Sequence, residues 1–245
     1  MGEGREPNAS GGAGDPATPF PTAPQGRLSN ALFWVLWFMV RLALRLYCRF
    51  RVEGELPQGA YVVAANHASF FDPIVLGAAV PRRVVFLMTE VVYRSRTMGW
   101  FYRWNRAIPL STRFPNRESM RVARQALKRG RAVGIYPEGG ISRDGKPLLG
   151  SPGAVSLVLN EGVPIIPVGL VGTHGLLPPG AVFPRPCRVT VRFGKPITPA
   201  ELAAVPGGRR ERLQGATKLI MARIAELTGH EPREAELERA FTESA

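Results

Sequence analysis

Cysteine and acidic side chains are scarce in this chain of 245 residues. Two cysteines occur, Cys48 and Cys187, and they form neither a disulfide framework nor the spacing of a metal site. The sequence therefore fits a reducing, intracellular setting. Aspartate and glutamate number 19 against 32 lysines and arginines, so the formal net charge is +13. This excess indicates an anionic partner: nucleic acid, an acidic membrane surface or a phosphorylated substrate.

Several motifs that define common protein classes are also missing from the sequence. There is no G-x-S-x-G nucleophile elbow, which excludes the usual route of serine hydrolases. There is neither a P-loop nor a G-x-G-x-x-G segment, so nucleotide-dependent enzymes are not indicated. Zinc-finger spacing, an RNA-binding aromatic signature and a helix-turn-helix pattern are absent too, which argues against nucleic-acid binding although the charge alone permits it.

Large apolar side chains are nearly absent from the start of the chain and then become abundant. Residues 1–27 are rich in glycine, proline, alanine and serine, and we interpret them as a disordered tail. Residues 31–40 are wholly apolar, and two arginines follow. A bilayer-spanning helix needs about 20 apolar residues, so this shorter run with two tryptophans predicts a helix over 28–48 lying in a membrane interface. A buried core helix and a single span are the alternatives.

Short β-rich runs alternate with helical segments between residues 49 and 229, which predicts one α/β domain. We expect a mixed, largely parallel central sheet flanked by helices on both faces. The expected strands are 50–53, 61–65, 84–88, 107–110, 132–136, 165–171 and 188–193. The expected helices are 73–80, 97–105, 117–129, 153–161 and 200–228. Residues 230–245 are rich in glutamate and are expected to form a solvated tail.

The most informative segment joins a predicted buried strand to a predicted helix. His67 follows the strand, and Asp72 lies five residues later, immediately before Pro73. With His67 in the connecting loop, a turn can bring the carboxylate to one imidazole nitrogen while the other nitrogen faces a pocket. That pair is the general base and orienting carboxylate of a catalytic triad, without its nucleophile. The local alternatives are a capping box from Ser69 to Asp72, or Asp72 as an N-cap before Pro73.

A second segment, 134–145, reads GIYPEGGISRDG. A predicted strand ends near Pro137, and Glu138 is followed by Gly139 and Gly140, whose small size lets a backbone approach a ligand closely. Glu138 would lie at the same end of the sheet as His67, which predicts a convergent polar pocket. The alternative is a simple glycine turn with a solvated glutamate.

Four segments, in this order, resemble the motif blocks of the lysophosphatidic acid acyltransferases, the 1-acylglycerol-3-phosphate acyltransferase family. Segment 66–72, NHASFFD, fits the block NHxSxxD, and 137–142 matches the beginning and the end of the block PEGTRS. Segments 99–113 and 163–168 are similar to the second and fourth blocks. The third block departs from the family, because Gly140 and Ile141 replace its threonine and arginine.

The resemblance implies a glycerol-3-phosphate acyltransferase-like fold and a specific reaction. The implied reaction moves a fatty acyl group from acyl-CoA or acyl-carrier protein to the sn-2 hydroxyl of lysophosphatidic acid, with His67 as general base and Asp72 as its orienter. No cofactor and no metal are implied. The implied partners are the lysophospholipid, the acyl donor and the anionic cytoplasmic face of the cell membrane, to which the protein binds peripherally or monotopically. Another lysophospholipid or a glycolipid is the alternative acceptor.

The resemblance leaves open which residue binds the acceptor's phosphate. The family arginine associated with the acceptor's phosphate is absent at Ile141, so another cation is required. Arg113 is the first candidate, since it follows the predicted strand 107–110, which we expect to end beside His67, and Arg143 is the second. The remaining expected pocket residues are Asn66, Ser69, Glu138 and Gly139.

Overall fold

The computed structural model describes residues 26–111, 116–177, 181 and 183–231. Most of the expected N-terminal tail, nearly all of the expected C-terminal tail and Arg113 lie outside the described residues. The described residues form helices α1 (Arg27–Cys48), α2 (Asp72–Ala79), α3 (Glu90–Tyr93), α4 (Gly99–Trp104), α5 (Arg117–Lys128), α6 (Gly153–Glu161), α7 (Thr173–Leu176), α8 (Pro199–Ala203) and α9 (Arg209–Thr228). They form strands β1 (Arg51–Glu53), β2 (Tyr61–Ala65), β3 (Val84–Thr89), β4 (Ile108–Leu110), β5 (Ala132–Ile135), β6 (Ile165–Val171) and β7 (Thr190–Phe193).

The seven strands form one sheet in the order β1-β7-β6-β2-β5-β3-β4. Strand β7 runs antiparallel to β6, and every other neighbouring pair is parallel. The prediction of a mixed, largely parallel sheet is therefore confirmed. Strand β2 lies between β5 and β6, so the carboxyl ends of these three strands meet at one edge, where α/β proteins usually place their ligands.

Both faces of the sheet are covered, and β2 shows how its residues divide between them. Val62 and Ala64 join the core formed with α5, α6, α8 and α9. Tyr61, Val63 and Ala65 point the other way, into the core formed with α2 and the end of α1. This alternation follows from the period of two in a strand. Because both sides are buried, the central strands read as continuous apolar runs.

Helix α1 lies against α2 and is held there by polar side chains. The indole Nε1 of Trp37 donates to the carbonyls of Gly77 and Val80, at 3.1 and 3.0 Å. Arg41 donates to the carbonyl of Ala78 at 2.7 Å. These carbonyls close the C-terminal end of α2, where a helix leaves its acceptors without internal partners. Satisfying them fixes α1 across the end of α2.

One predicted helix is wrong. Residues 200–228 were expected to be continuous, but α8 ends at Ala203 and α9 begins at Arg209. Between them Pro206 lacks a backbone donor, and Gly207 adopts a φ of 104°. Helices α3 and α7 were not predicted, since four residues carry too little periodicity to show a helix.

Candidate active site

His67 and Asp72 meet in the turn between β2 and α2. The imidazole Nδ1 lies 2.8 Å from Oδ2 of Asp72. The same oxygen accepts the backbone N–H groups of Ala68 and Ser69, at 2.7 and 2.8 Å. The carboxylate is fully buried, whereas the His67 side chain keeps 17% of its surface exposed. Since a carboxylate can only accept, Nδ1 carries the proton and Nε2 is left as the basic nitrogen.

Neither of the two capping arrangements that the sequence suggested for this turn is fully present. Half of the predicted capping box forms, because the N–H of Ser69 donates to Asp72. The hydroxyl of Ser69 accepts from Phe71 at 3.3 Å, so the reciprocal half is absent. Asp72 is not the N-cap: Phe71 holds that position and Asp72 begins α2. Asp72 thus places an acidic side chain in the first turn of α2, where the helix dipole favours negative charge.

The segment after β5 closes on His67 from the other side. Oε1 of Glu138 accepts the backbone N–H of His67 at 3.1 Å, and the N–H of Ser142 donates to the His67 carbonyl at 2.7 Å. Gly139 has a φ of 69°, a left-handed conformation that favours glycine. A Cβ at Gly139 or Gly140 would meet no atom within 4 Å, so the space above this turn is open. The expected convergence of Glu138 with His67 is therefore present.

Tyr136 is a member of the site that the sequence did not reveal. Its ring stacks on the imidazole of His67, with centroids 4.2 Å apart and planes inclined by 21°. Burial and the charge of Asp72 raise the pKa of the Tyr136 phenol well above its usual value, so the hydroxyl stays protonated. Tyr136 comes directly after β5, and it reaches His67 because β5 pairs with β2, a pairing that leaves no local signal in the sequence.

Asn66 and Ser69 brace the site from beneath. The amide of Asn66 donates to the Leu170 carbonyl at 3.1 Å and accepts the Leu170 N–H at 2.7 Å, which ties the end of β2 to β6. The hydroxyl of Ser69 donates to the carbonyl of Leu177 at 3.2 Å. Both side chains are buried. Their geometry is that of residues that hold the loop in place, whereas the sequence suggested contact with a substrate.

Two arginines, Arg113 and Arg143, were expected to bind the acceptor's phosphate. Arg113 lies outside the described residues. The strand before it, β4, was expected to end beside His67, and this expectation is wrong. Strands β5 and β3 separate β4 from β2, a distance of about 14 Å at the usual strand spacing. Arg143 is exposed in the loop after the glycine turn.

An apolar cavity of about 120 Å³ opens beside the turn between β2 and α2. Helix α1 contributes Phe33 and Trp37 to its wall, and α2 contributes Ile74. Phe70, at the rim, follows Ser69 directly and is 63% exposed. Phe86 of β3 lines the cavity too, and its ring lies nearly parallel to that of Tyr136, with centroids 6.3 Å apart. The cavity thus reaches from the surface near α1 to Phe86, which lies next to the Tyr136 ring that stacks on His67.

These features define a class of protein. Within the described ranges, no group of three or more His, Cys, Asp or Glu side chains is arranged to hold a metal ion. The turn offers His67 as a base, oriented by a buried carboxylate and next to an apolar cavity. That combination suits transfer of an apolar group to a hydroxyl of a bound acceptor.

Comparison with known proteins agrees with this class. The acyltransferase family model matches residues 49–171, and the chain belongs to this acyltransferase family. A 1-acyl-sn-glycerol-3-phosphate acyltransferase of Bacillus subtilis is 26% identical over 190 residues, covering 77% of this chain and 92% of that protein. One from Cocos nucifera is 28% identical over 60% of this chain, and the match spans 49% of the coconut protein.

The fold also matches a solved structure. The crystal structure of the 1-acyl-sn-glycerophosphate acyltransferase PlsC from Thermotoga maritima superimposes with a TM-score of 0.64. The match covers 81% of this chain and 80% of that one, at 24% identity. The protein is thus an acyltransferase with a mixed α/β sheet, and the resemblance seen in its motifs is confirmed.

Proposed function

We propose that this acyltransferase moves a fatty acyl group from acyl-CoA or acyl-carrier protein to the sn-2 hydroxyl of lysophosphatidic acid, giving phosphatidic acid. The observation that carries the proposal is the 2.8 Å contact between His67 and Asp72, which leaves Nε2 basic. The names of the relatives supply the acceptor, since they are 1-acyl-sn-glycerol-3-phosphate acyltransferases.

The reaction needs one base and no covalent enzyme intermediate. Nε2 of His67 takes the proton of the acceptor hydroxyl while its oxygen attacks the thioester carbon. An ester C–O bond forms, the C–S bond breaks, and the imidazolium returns the proton to the leaving thiolate. Asp72 holds the imidazole in the required tautomer and stabilises its charged form. The backbone bonds to Glu138 and Ser142 fix the position of His67, which lowers the cost of orientation.

The apolar cavity receives part of the acyl chain. Its walls come from α1, α2, β3 and α4, and they are mostly aliphatic and aromatic. Phe70 stands at the rim, one residue from Ser69, so a chain lying in the cavity would bring its thioester towards the His67 turn. Burying a chain there is favourable by roughly 0.8 kcal/mol per methylene group.

Helix α1 anchors the enzyme to one leaflet. It is long and apolar enough to cross a membrane by length and composition, and it is mostly unburied. One stripe faces outward at spacings of three and four residues, and its members are Leu28, Leu32, Val35, Met39, Leu42 and Leu46. The opposite face is held to α2 by Trp37 and Arg41. A helix fixed to the domain on one face and apolar on the other lies in an interface.

The cytoplasmic face of the cell membrane is the proposed location. The net charge of +13 favours the anionic surface of that leaflet. Insertion of α1 would bring the rim of the cavity near the lipid, because Trp37 and Phe70 line the same cavity. A lysolipid could then reach His67 from the side, without passing through water.

Arg113 is the proposed ligand of the acceptor's phosphate, because it ends the segment that resembles the family's second motif block, and Arg143 is the second choice. A phosphate monoester carries close to two negative charges, and burying them without a cation is costly. Ile141 cannot supply that cation. The competing proposal is a lysophospholipid with a capped phosphate, or a glycolipid, for which no such cation is required.

The direct test incubates the purified protein in detergent with labelled acyl-CoA, or labelled acyl-carrier protein, and a panel of acceptors. The panel contains lysophosphatidic acid, lysophosphatidylcholine, lysophosphatidylglycerol and a monoacyl glycolipid. Fastest transfer to lysophosphatidic acid is the expected result. Faster transfer to a capped lipid would replace the acceptor, and no transfer to any of them would overturn the proposed function.

A further inference from the structure

We propose that Tyr136 is a positioning residue for the general base: its aromatic face sets the plane of the His67 imidazole and stabilises the imidazolium that forms during transfer. This inference rests on the proposed function of His67. The ring of Tyr136 is stacked on the imidazole of His67, with ring centroids 4.2 Å apart and planes inclined by 21°.

The stack supplies a restraint that the hydrogen bonds leave open. The contact between Nδ1 and Asp72 fixes one edge of the imidazole, and the bonds to Glu138 and Ser142 fix its backbone. The ring can still swing about the axis of that single side-chain contact. A flat surface packed on one face removes this motion, so Nε2 keeps one direction. A small error in the direction of a base lowers its rate substantially.

The same face suits the charge that appears during the reaction. His67 begins neutral and becomes a cation when it takes the acceptor's proton. An aromatic face carries negative electrostatic potential and attracts a cation held against it. Tyr136 therefore interacts more strongly with the imidazolium than with the neutral imidazole. This difference favours the charged intermediate over the resting enzyme, which is the condition for raising kcat.

Tyr136 is itself supported from behind. Phe86 lies parallel to it within 8°, with centroids 6.3 Å apart. Phe86 occupies space above Gly134, where a Cβ would come within 2.5 Å of the Phe86 ring. Glycine at position 134 therefore makes room for Phe86, and the three rings form a series from the apolar cavity to His67. This arrangement gives Tyr136 one orientation.

The hydroxyl of Tyr136 has no part in the inference. Its oxygen is buried and has no hydrogen-bond partner among the described residues. A buried unpaired hydroxyl destabilises a fold, so its removal is neutral or stabilising. Phenylalanine keeps the aromatic face and lacks the hydroxyl, and it is the matched control. Leucine and methionine keep apolar volume and lack the face.

The test compares Tyr136→Phe, Tyr136→Leu and Tyr136→Met in the full-length protein in detergent. The phenylalanine variant should keep kcat within about twofold of wild type, whereas leucine and methionine should lose about tenfold in kcat with little change in KM. Thermal unfolding identifies any variant that is not folded, and the methionine variant serves if the leucine variant fails. Wild-type kcat in a folded leucine or methionine variant would overturn the proposal. An equal loss in the phenylalanine variant would also overturn it, since the hydroxyl would then be responsible.

A second measurement needs no turnover, so it separates this inference from the proposed function. The chain has three histidines. In a histidine-labelled protein, the Hε1 signal of His67 is assigned by its loss in His67→Ala. A stacked tyrosine shifts that signal upfield, and the shift should persist in Tyr136→Phe and vanish in Tyr136→Leu. An unchanged signal in the leucine variant would show that the rings are not stacked.

Discussion

Nδ1 of His67 and Oδ2 of Asp72 lie 2.8 Å apart, although His67 is in a loop and Asp72 opens a helix. The turn between them is closed by two backbone N–H groups, from Ala68 and Ser69, which donate to the same carboxylate oxygen. The carboxylate therefore has two functions that a substitution can separate. It holds the shape of the turn, and it supplies the negative charge that a protonated imidazole requires.

Asp72→Asn should separate these two functions. The amide oxygen can still accept the two backbone N–H groups, so the protein should fold. The negative charge is lost and the wrong imidazole tautomer is favoured, so kcat should fall by about 10²–10⁴-fold with a small change in KM. Steady-state kinetics with labelled acyl-CoA measures both. Glu226→Gln, a carboxylate-to-amide change on the surface of α9, is the control and should behave as wild type. An Asp72→Asn variant as active as that control would show that the charge is dispensable.

Asn66→Ala should reduce stability more than it changes the chemistry. It leaves the N–H and carbonyl of Leu170 without their side-chain partner in a buried place, at a cost of about 1–3 kcal/mol. The midpoint of thermal unfolding should fall, while KM for the acceptor stays close to wild type at low temperature. Asn160→Ala, on the outer face of α6, should leave the midpoint unchanged. A raised KM at an unchanged midpoint would instead show that Asn66 contacts the acceptor, as the sequence suggested.

Polar substitutions on the outer face of α1 should release the enzyme from membranes. Replacing Leu32, Val35 and Met39 with glutamine removes apolar surface from the exposed stripe and leaves the bonds of Trp37 untouched. The variant should appear in the soluble fraction after membranes are sedimented, with its fold intact. Wild type should stay bound at high salt, because apolar burial is not screened. An unfolded triple variant would favour a core helix, and salt release of wild type would favour a purely electrostatic contact.

Arg113→Ala should raise KM strongly for lysophosphatidic acid and less for lysophosphatidylcholine. The reason is that the first acceptor carries a phosphate monoester and the second a capped phosphate. Arg113→Lys should recover part of the loss, since the ammonium keeps the charge without the bidentate fork. Arg143→Ala tests the second choice, and Arg209→Ala on α9 is the control for loss of one positive charge. Equal losses on both acceptors would assign Arg113 to the fold.

Much of the fold was readable from the sequence because buried strands carry a strong local signal. The bounds of β2 and β6 and the whole of α6 agree with the predicted ranges. The order of the strands was not readable, since pairing between distant segments leaves no local pattern. For this reason β4 was expected beside His67, although it lies at the far edge of the sheet.

In the site, too, the contact between residues close in sequence was predicted and the contacts between distant segments were not. The pairing of His67 with Asp72 depends on five residues of sequence, and the spacing predicted it. The stack of Tyr136 on His67 and the bond from Ser142 to the His67 carbonyl join segments about 70 residues apart. They follow from the adjacency of β2 and β5, which only the structure shows. The hydrogen bond of Asn66 to Leu170 also joins distant segments, because Leu170 belongs to β6. The sequence could not show this bond, and Asn66 was therefore predicted as a pocket residue.

The most direct test of the account is acyl transfer by His67→Ala beside His230→Ala. Both variants remove one imidazole, but His230 follows α9 and its Nδ1 lies 3.1 Å from the hydroxyl of Thr228. Purified proteins are given labelled acyl-CoA and lysophosphatidic acid, and labelled phosphatidic acid is counted. The account predicts that His67→Ala loses about 10²–10⁴-fold in rate or more, while its thermal unfolding is retained and His230→Ala is unaffected. Wild-type transfer by a folded His67→Ala protein would contradict the account.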